Sequence, residues 1–270
     1  MSRSDDIVLP HHRAAATMWG QGGKDYDDVS FAISDALKHA GQRLDPRRGD
    51  RILDVATGTG WSARNAARMG AEVTGVDIAE ELLAAARELS AHVRPPIEFR
   101  LADAERLPFG DGAFNRVIST FGVMFAADQR QAAAELGRVC RSDGCLVLAT
   151  WAPVGSVAEF FGVIGKHGDA PPPPASPLAW GDSAHIETLL GGAFELTFEH
   201  GVNHAYHADA DAIWDWYARG FGPLRQVVAA LAGPRVEALK RDIDAFHQHY
   251  AVQAGLHVKR DYLLTIGRRR

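Results

Sequence analysis

At 270 residues the chain can bury a substantial core, and one large α/β domain with a cap is the economical reading. Acidic residues outnumber basic ones, 34 against 29, so the net charge of −5 offers no basic field to nucleic-acid phosphates. Two cysteines, Cys140 and Cys145, are too few for a disulfide scaffold, and no apolar run reaches the ~20 residues that a membrane span needs.

The opening M-S-R-S-D-D lacks an apolar signal core, so a soluble, cytoplasmic protein with no nucleic-acid or membrane partner is expected. The tail Arg268-Arg269-Arg270 reads as a solvated terminus, and a homodimer stays open. Residues 1–26 are mixed, with His11-His12-Arg13 and then Met18-Trp19-Gly20-Gln21-Gly22-Gly23, and are expected to form a mobile arm. Val29, Ile33, Leu37, Ala40 and Leu44 recur at helical spacing and predict one helix from Asp28 to Leu44. Asp45-Pro46 and Gly49-Asp50 then break the chain. From there strands over 51–56, 71–77, 97–102, 114–120 and 145–151 are interleaved with helices over 61–69, 79–91 and 128–140. Such alternation predicts a parallel sheet with right-handed crossovers.

After Trp151 the pattern changes. Residues 153–183 carry glycines and the run Pro171-Pro172-Pro173-Pro174, expected to be extended and semi-rigid. A helix over 184–191 and a strand over 194–202 resume the alternation, and a long helical insert is expected over 209–254. Its Val236, Leu239, Ile243, Phe246 and Tyr250 make one apolar face, and the last strand is expected over 259–267.

The densest information lies in Arg51–Gly60, R-I-L-D-V-A-T-G-T-G, and Ala71–Asp77, A-E-V-T-G-V-D. An apolar strand ends in an acid, turns on Gly58 and Gly60 and enters a helix, and a second apolar strand stops on Asp77. That order builds a nucleoside pocket at the carboxyl ends of parallel strands, with Asp77 placed to accept hydrogen bonds from a ribose diol. Two ligand classes use such a pocket. The loop G-T-G-W-S-A fits the weaker dinucleotide pattern, but Asp54 would repel a pyrophosphate. It favours instead the sulfonium and ammonium cations of S-adenosylmethionine.

At these residues the chain resembles the class I methyltransferases, in particular the group that includes the quinone-biosynthesis C-methyltransferases. The resemblance rests on L-D-V-A-T-G-T-G (53–60), G-V-D-I-A (75–79), L-A-D-A-E-R-L-P-F-G-D-G-A-F (101–114) and E-L-G-R-V-C-R-S-D-G (135–144). Ala56 stands for the first glycine of the loop, Asn115 for a common aspartate, and Ser142-Asp143-Gly144 for the usual Pro-Gly-Gly turn. The resemblance implies a doubly wound, mostly parallel seven-stranded Rossmann-like sheet with a helical cap inserted between the last two strands. Residues 1–50 would be an arm and helix covering the cofactor, and 51–270 the methyltransferase domain, with cap insertions at about 153–183 and 207–256.

It implies S-adenosylmethionine as cofactor, S-adenosylhomocysteine as product and a small-molecule methyl acceptor. Asp54 and the loop Ala56, Thr57, Gly58, Thr59 and Gly60 would surround the methionine portion. Asp77 would take the ribose hydroxyls, Ile78 the adenine face, and Asp103-Ala104 the adenine amino group. Ser119, Thr120 and Phe121 would face the transferable methyl, with Trp19 and Tyr26 closing over it. Each has a plainer reading. Asp54 is an acid satisfied by backbone amides, Asp77 a helix cap, Asp103 a surface acid, and the aromatics ordinary packing.

Methyl transfer demands alignment more than chemistry, although a phenol or acidic carbon must lose a proton. His200, His204, His207, His247, His249 and His257 all lie beyond the fifth strand. His204 and His207, where the chain leaves for the cap, are the weak candidates for a base, and solvated or core histidine is the plainer reading of each. His247 and His249, two apart on a helix, make a poor metal pair, and no metal is expected. Trp180, Trp214, Trp216, Tyr217, Phe221 and Phe246 suit a partly apolar acceptor and equally a core joining cap to sheet. A quinone or phenolic metabolite is the family-weighted acceptor, with an amine beside it. The alternatives are a nicotinamide-dependent oxidoreductase on the same loop and a non-methylating protein that binds S-adenosylmethionine.

Overall fold

The computed structural model describes residues 7–169 and 173–270. The segment M-S-R-S-D-D and the prolines Pro171 and Pro172 lie outside the described residues. Strands β1 (Arg51–Val55), β2 (Glu72–Asp77), β3 (Glu98–Leu101), β4 (Phe114–Thr120), β5 (Cys140–Trp151), β6 (Phe194–His207) and β8 (Gly255–Arg269) form one sheet in the order β3-β2-β1-β4-β5-β8-β6. The five from β3 to β5 are parallel, and β8 runs antiparallel between β5 and β6. The two-residue β7 (Ala251–Val252) adds a small hairpin against β8, making the seven expected strands eight. Ile52, Leu53, Val55, Val117, Ile118, Leu146, Val147 and Leu148 are fully covered, as befits central parallel strands with both faces packed.

The departure at Asn115 has a local reason. Its Oδ1 accepts the Arg51 N–H at 2.6 Å while its amide donates to Asp50. An aspartate there would set two carboxylates face to face.

The amino-terminal region, where the sequence suggests an arm, is helical over much of its described length. It holds helix α1 (Arg13–Gly20), and the single helix expected over 28–44 is two, α2 (Tyr26–Phe31) and α3 (Ser34–Leu44), broken at Ile33 with φ −115° and ψ 18°. Helices α4 (Trp61–Arg68), α5 (Glu80–Leu89) and α6 (Gln129–Val139) follow the expected crossovers. The stretch after Trp151 contains a further helix, α7 (Ser156–Gly165), ahead of α8 (Ser183–Leu190). Between β6 and β7 the helical insert comprises α9 (Ala210–Gly220), α10 (Gly222–Ala230) and α11 (Gly233–Gln248).

A second core, separate from that of the sheet, joins α7 to this insert. Phe160, Ile164, Ile213, Tyr217, Leu224, Leu239 and Ile243 pack together there with Val29 of α2. Burying an aliphatic or aromatic side chain contributes about 1.5–3 kcal/mol, so α7, α2 and the insert are held by shared apolar area. No described helix is long and apolar enough to cross a membrane.

Candidate active site

The strand order reverses direction between β1 and β4, and a cavity of about 980 Å³, including its open mouth, lies at their carboxyl ends. Its walls include Val55, Ala56, Thr57 and Gly58 after β1, Asp77 and Ile78 after β2, and Asp103 and Ala104 after β3. Thr120 and Phe121 close it from β4, and Trp19 and Tyr26 cover it from the amino-terminal helices. Four of the expected residues are not in its walls. Asp54 and Ser119 lie behind it, Thr59 turns away to give its hydroxyl to Asp27 at 2.8 Å, and Gly60 abuts Phe99. Ser119 braces the floor instead, donating to the Val55 carbonyl at 2.7 Å and accepting the Val123 N–H at 3.1 Å.

The glycine turn is held by both acids. Asp77 Oδ2 accepts the Gly58 N–H and Oδ1 the Ala79 N–H, each at 2.9 Å, so it ties the loop to the residue that precedes α5. Burial pushes its carboxyl pKa up. Asp54 Oδ2 accepts the Thr57 hydroxyl at 2.6 Å and the Ala63 N–H, in the first turn of α4, at 3.0 Å. Its Oδ1 is buried without a partner. Burial raises the Asp54 carboxyl to about 7 against the pull of those two hydrogen bonds, and the charge of Asp77 adds to the rise. An orphaned carboxylate oxygen behind a nucleoside-sized cavity fits a cationic ligand group reached directly or through a water.

Backbone strain concentrates here. Ala56 has φ +55° and Phe121 φ +59°, in the left-handed region that costs a non-glycine residue about 1–2 kcal/mol. Gly122 makes room for the first, since a Cβ on it would land on the Ala56 methyl. Phe121 stacks on Trp151, with ring centroids 3.9 Å apart.

Two side-chain anchors that local sequence patterns do not reveal fix the amino-terminal helices over the cavity. Arg64 donates to Asp27 at 2.8 Å, tying α2 to α4. His12 Nδ1 meets Asp103 Oδ2 at 2.8 Å, where the Leu9 N–H also donates at 3.0 Å, while Asp103 Oδ1 accepts the Glu105 N–H at 3.0 Å. Asp103, expected at the adenine amino group, thus has Oδ2 filled by two protein donors and Oδ1 by one, more than the single donor on each oxygen of Asp77. Among the described residues, His11, His12 and Glu105 form a group whose ligand atoms lie within 4.8 Å of one another, a spacing that a cation could bridge. Burial alone would lower the His12 pKa, but the hydrogen bond and charge of Asp103 and the charge of Glu105 outweigh it, and the pKa lies above 6.5. Burial likewise opposes the same bond at Asp103, whose carboxyl is nevertheless held below 3.8.

The His12 contribution is therefore complete below pH 6.5 and lost as pH rises through its folded value, and that of Asp103 is lost as pH falls below 3.8. Limited proteolysis ahead of α1 is expected to accelerate on raising the pH from 6 to 9. In His12→Ala it should be fast throughout; a wild-type rate in that variant would show that the anchor lies elsewhere.

A second cavity, about 660 Å³ including its open mouth, shares Trp19, Tyr26, Ile33, Phe121 and Phe125 with the first. Its far side is Phe160, Trp216, Tyr217, Phe221 and Phe246 of the cap, with the basic groups His247 and Arg260 beside them. Neither candidate base lies in its wall. His204 pairs with His257 at 2.7 Å on the exposed face of β6 and β8. His207 packs against Trp216 with a buried, unpartnered Nε2, and burial with the charges of Arg260 and His247 lowers it to about 4. His247 is the histidine at the cavity. Its Nδ1 lies 2.8 Å from the Ile243 carbonyl, which only an N–H can satisfy, so Nε2 carries the lone pair.

The sequence matches the methyltransferase-domain family over residues 53–148. It is 33% identical over 248 residues to an uncharacterized protein of Mycobacterium tuberculosis, spanning 89% of this chain and 88% of that one. It is 43% identical over 111 residues to the demethylmenaquinone methyltransferase of Chlorobaculum tepidum, covering 41% of this chain and 44% of that enzyme. The fold is shared with the YcgJ protein of Bacillus subtilis at a TM-score of 0.61 and 20% identity, over 88% of this chain and 99% of that one. None of these favours the nicotinamide alternative that the glycine loop left open. The chain belongs to the class I S-adenosylmethionine-dependent methyltransferases, in the group resembling the quinone-biosynthesis C-methyltransferases, and its reaction is methyl transfer from S-adenosylmethionine.

Proposed function

We propose that the protein methylates a small, largely apolar molecule of the quinone or phenol type, held in the cap cavity while the cofactor fills the cavity at the strand ends. The observation that carries this is the wall the two cavities share, at Trp19, Tyr26 and Phe121. A methyl group presented there meets an aromatic chamber that excludes water. Asp77 takes the ribose diol, Ile78 and Ala104 lie along the adenine, and Asp54 receives the ammonium through its free Oδ1. Asp103 acts by fixing the amino-terminal helices.

The reaction is an in-line displacement. S-adenosylmethionine would supply an electrophilic methyl group on a sulfonium, which the acceptor would displace with a neutral thioether as leaving group. A hydroxyl or acidic carbon would give up its proton, and the unprotonated His247 Nε2, in the cavity wall, is the candidate to receive it. Cys140 and Cys145 are both free thiols, which supports a reducing, cytoplasmic setting.

The test is calorimetric titration with S-adenosylhomocysteine beside NADH. Binding of the first alone is expected, and Asp77→Ala should weaken it by about 1–3 kcal/mol, the scale for hydrogen bonds to a charged group. Wild-type affinity in that variant would remove Asp77 from the ribose.

A further inference from the structure

Along β8 the covered positions alternate as Leu256, Val258, Arg260, Tyr262 and Leu264, so a guanidinium occupies a place in a row otherwise apolar or aromatic. Arg260 is 6% exposed. Its Nη2 donates to the Tyr217 hydroxyl at 3.1 Å, and its charge lies 5.8 Å from the centre of the Trp216 ring. Among the described residues it makes no ion pair with a carboxylate. A buried charge left unpaired is costly, and a phenol oxygen with a ring face offsets only part of that cost. The two nearby imidazoles register the same uncompensated charge, because Arg260 contributes to the depressed pKa of both His207 and His247.

We propose that Arg260 is the anion-binding residue of the acceptor cavity, and that the acceptor is a planar aromatic acid whose carboxylate or phenolate oxygen pairs with this guanidinium. This rests on the assignment of the cap cavity to the acceptor. The aromatic walls fit the body of such a molecule, and the cavity has one cationic side chain to fit its charge. Arginine presents parallel N–H groups, so a carboxylate is taken in two-point fashion and a phenolate oxygen in one-point fashion. Tyr217, whose hydroxyl accepts from Arg260, keeps its own proton to donate to the same anion. A neutral quinone would leave the guanidinium as it stands in the free protein, and a protonated amine would be repelled.

The experiment uses the full chain saturated with S-adenosylhomocysteine. Benzoate, 4-hydroxybenzoate and 2-naphthoate are titrated beside their neutral amides, with 2-naphthol at pH 7 and pH 10 to separate phenolate from carboxylate. At least one anion is expected to bind about tenfold or more tightly than its neutral counterpart. That preference should disappear in Arg260→Met and persist, weakened, in Arg260→Lys. S-adenosylhomocysteine binding, measured first in each variant, reports the fold and the cofactor site. Its absence in the wild type would fail the cofactor reading; its presence without any preference for an anion would overturn the role of Arg260 alone. An anion preference that survives in Arg260→Met would overturn it equally.

Discussion

Replacing Gly122 by alanine is expected to weaken S-adenosylhomocysteine binding by about one to two orders of magnitude while leaving the sheet folded. The residue lies two positions beyond the end of β4, and a Cβ on it would stand well inside van der Waals contact of the Ala56 methyl, with the Ala56 carbonyl oxygen 3.0 Å and its Cα 3.4 Å away. These are backbone-fixed atoms, so no rotamer relieves the contact. Ala56 has little room to retreat. It already stands at φ +55°, and Thr57 beyond it is fastened by its N–H to the Val76 carbonyl at 2.9 Å. The turn must shift as a unit, and with it the Gly58 N–H on Asp77 and the Thr57 hydroxyl on Asp54.

Overpacking of this kind typically costs about 1–3 kcal/mol of stability. Because it falls on the cofactor loop, affinity should drop by about 10- to 100-fold, each factor of ten being about 1.4 kcal/mol. Ala56→Gly should be nearly silent, since release from the left-handed strain of about 1–2 kcal/mol is offset by the roughly 0.5–1 kcal/mol that glycine loses in chain entropy. The pair Ala56→Gly with Gly122→Ala removes the methyl-to-methyl collision and should recover much of the affinity. Calorimetry with parallel thermal unfolding decides it: unchanged affinity in Gly122→Ala would place the turn outside the pocket. A double variant no better than the single would place the damage at the Ala56 carbonyl.

That pair also marks what the sequence could disclose. Strand, acid, glycine turn and second strand are local, so Asp54, Gly58 and Asp77 were legible from their order alone. The compensation of Ala56 by Gly122 joins the ends of two strands 66 positions apart, and no window of sequence contains both. Helix α1 and the start of α2 ahead of Asp28 escape local reading for the same reason. Their anchors, His12 on Asp103 and Asp27 on Arg64, reach 91 and 37 residues along the chain. Helix α7 hid behind Gly162 and Gly165, poor helix formers, and is held by Phe160 and Ile164 in the cap core. Strands β6 and β8 run past their expected ends because they pair from Phe194↔Arg269 to His207↔Leu256, over stretches whose outer side chains are polar. Arg260 was legible in principle, since it shares the parity of Val258 and Tyr262. The expected last strand, 259–267, contained it, and only the inward direction of that parity was missing.

The largest effect of pH should come from Asp54. In the ligand-free protein its carboxyl titrates at about 7, against 3.8 for the ordinary value, chiefly because it is buried. Between those two values the folded protein holds a proton that the unfolded chain has released, so this contribution is complete below pH 3.8 and lost as pH rises through 7. The difference of about three units corresponds to roughly 4 kcal/mol across the window. The raised carboxyl of Asp77 acts in the same direction. A cofactor ammonium beside the free Oδ1 favours the ionised form and reverses the argument, because it binds best where Asp54 has lost its proton. The thermal midpoint of the free protein is therefore expected to fall from pH 5 to pH 8, and the rise produced by S-adenosylhomocysteine to grow over the same range. Affinity should decline about tenfold per unit below pH 7, and titrations at pH 6.5 in buffers of different ionisation enthalpy should register proton release on binding. Asp54→Asn should bind more weakly at pH 8, close to wild type at pH 5.5, and release no proton. An affinity in the wild type that does not change between pH 5.5 and 8 would mean that Asp54 never meets the ammonium, and that its buried carboxyl serves only to hold Thr57 and the first turn of α4.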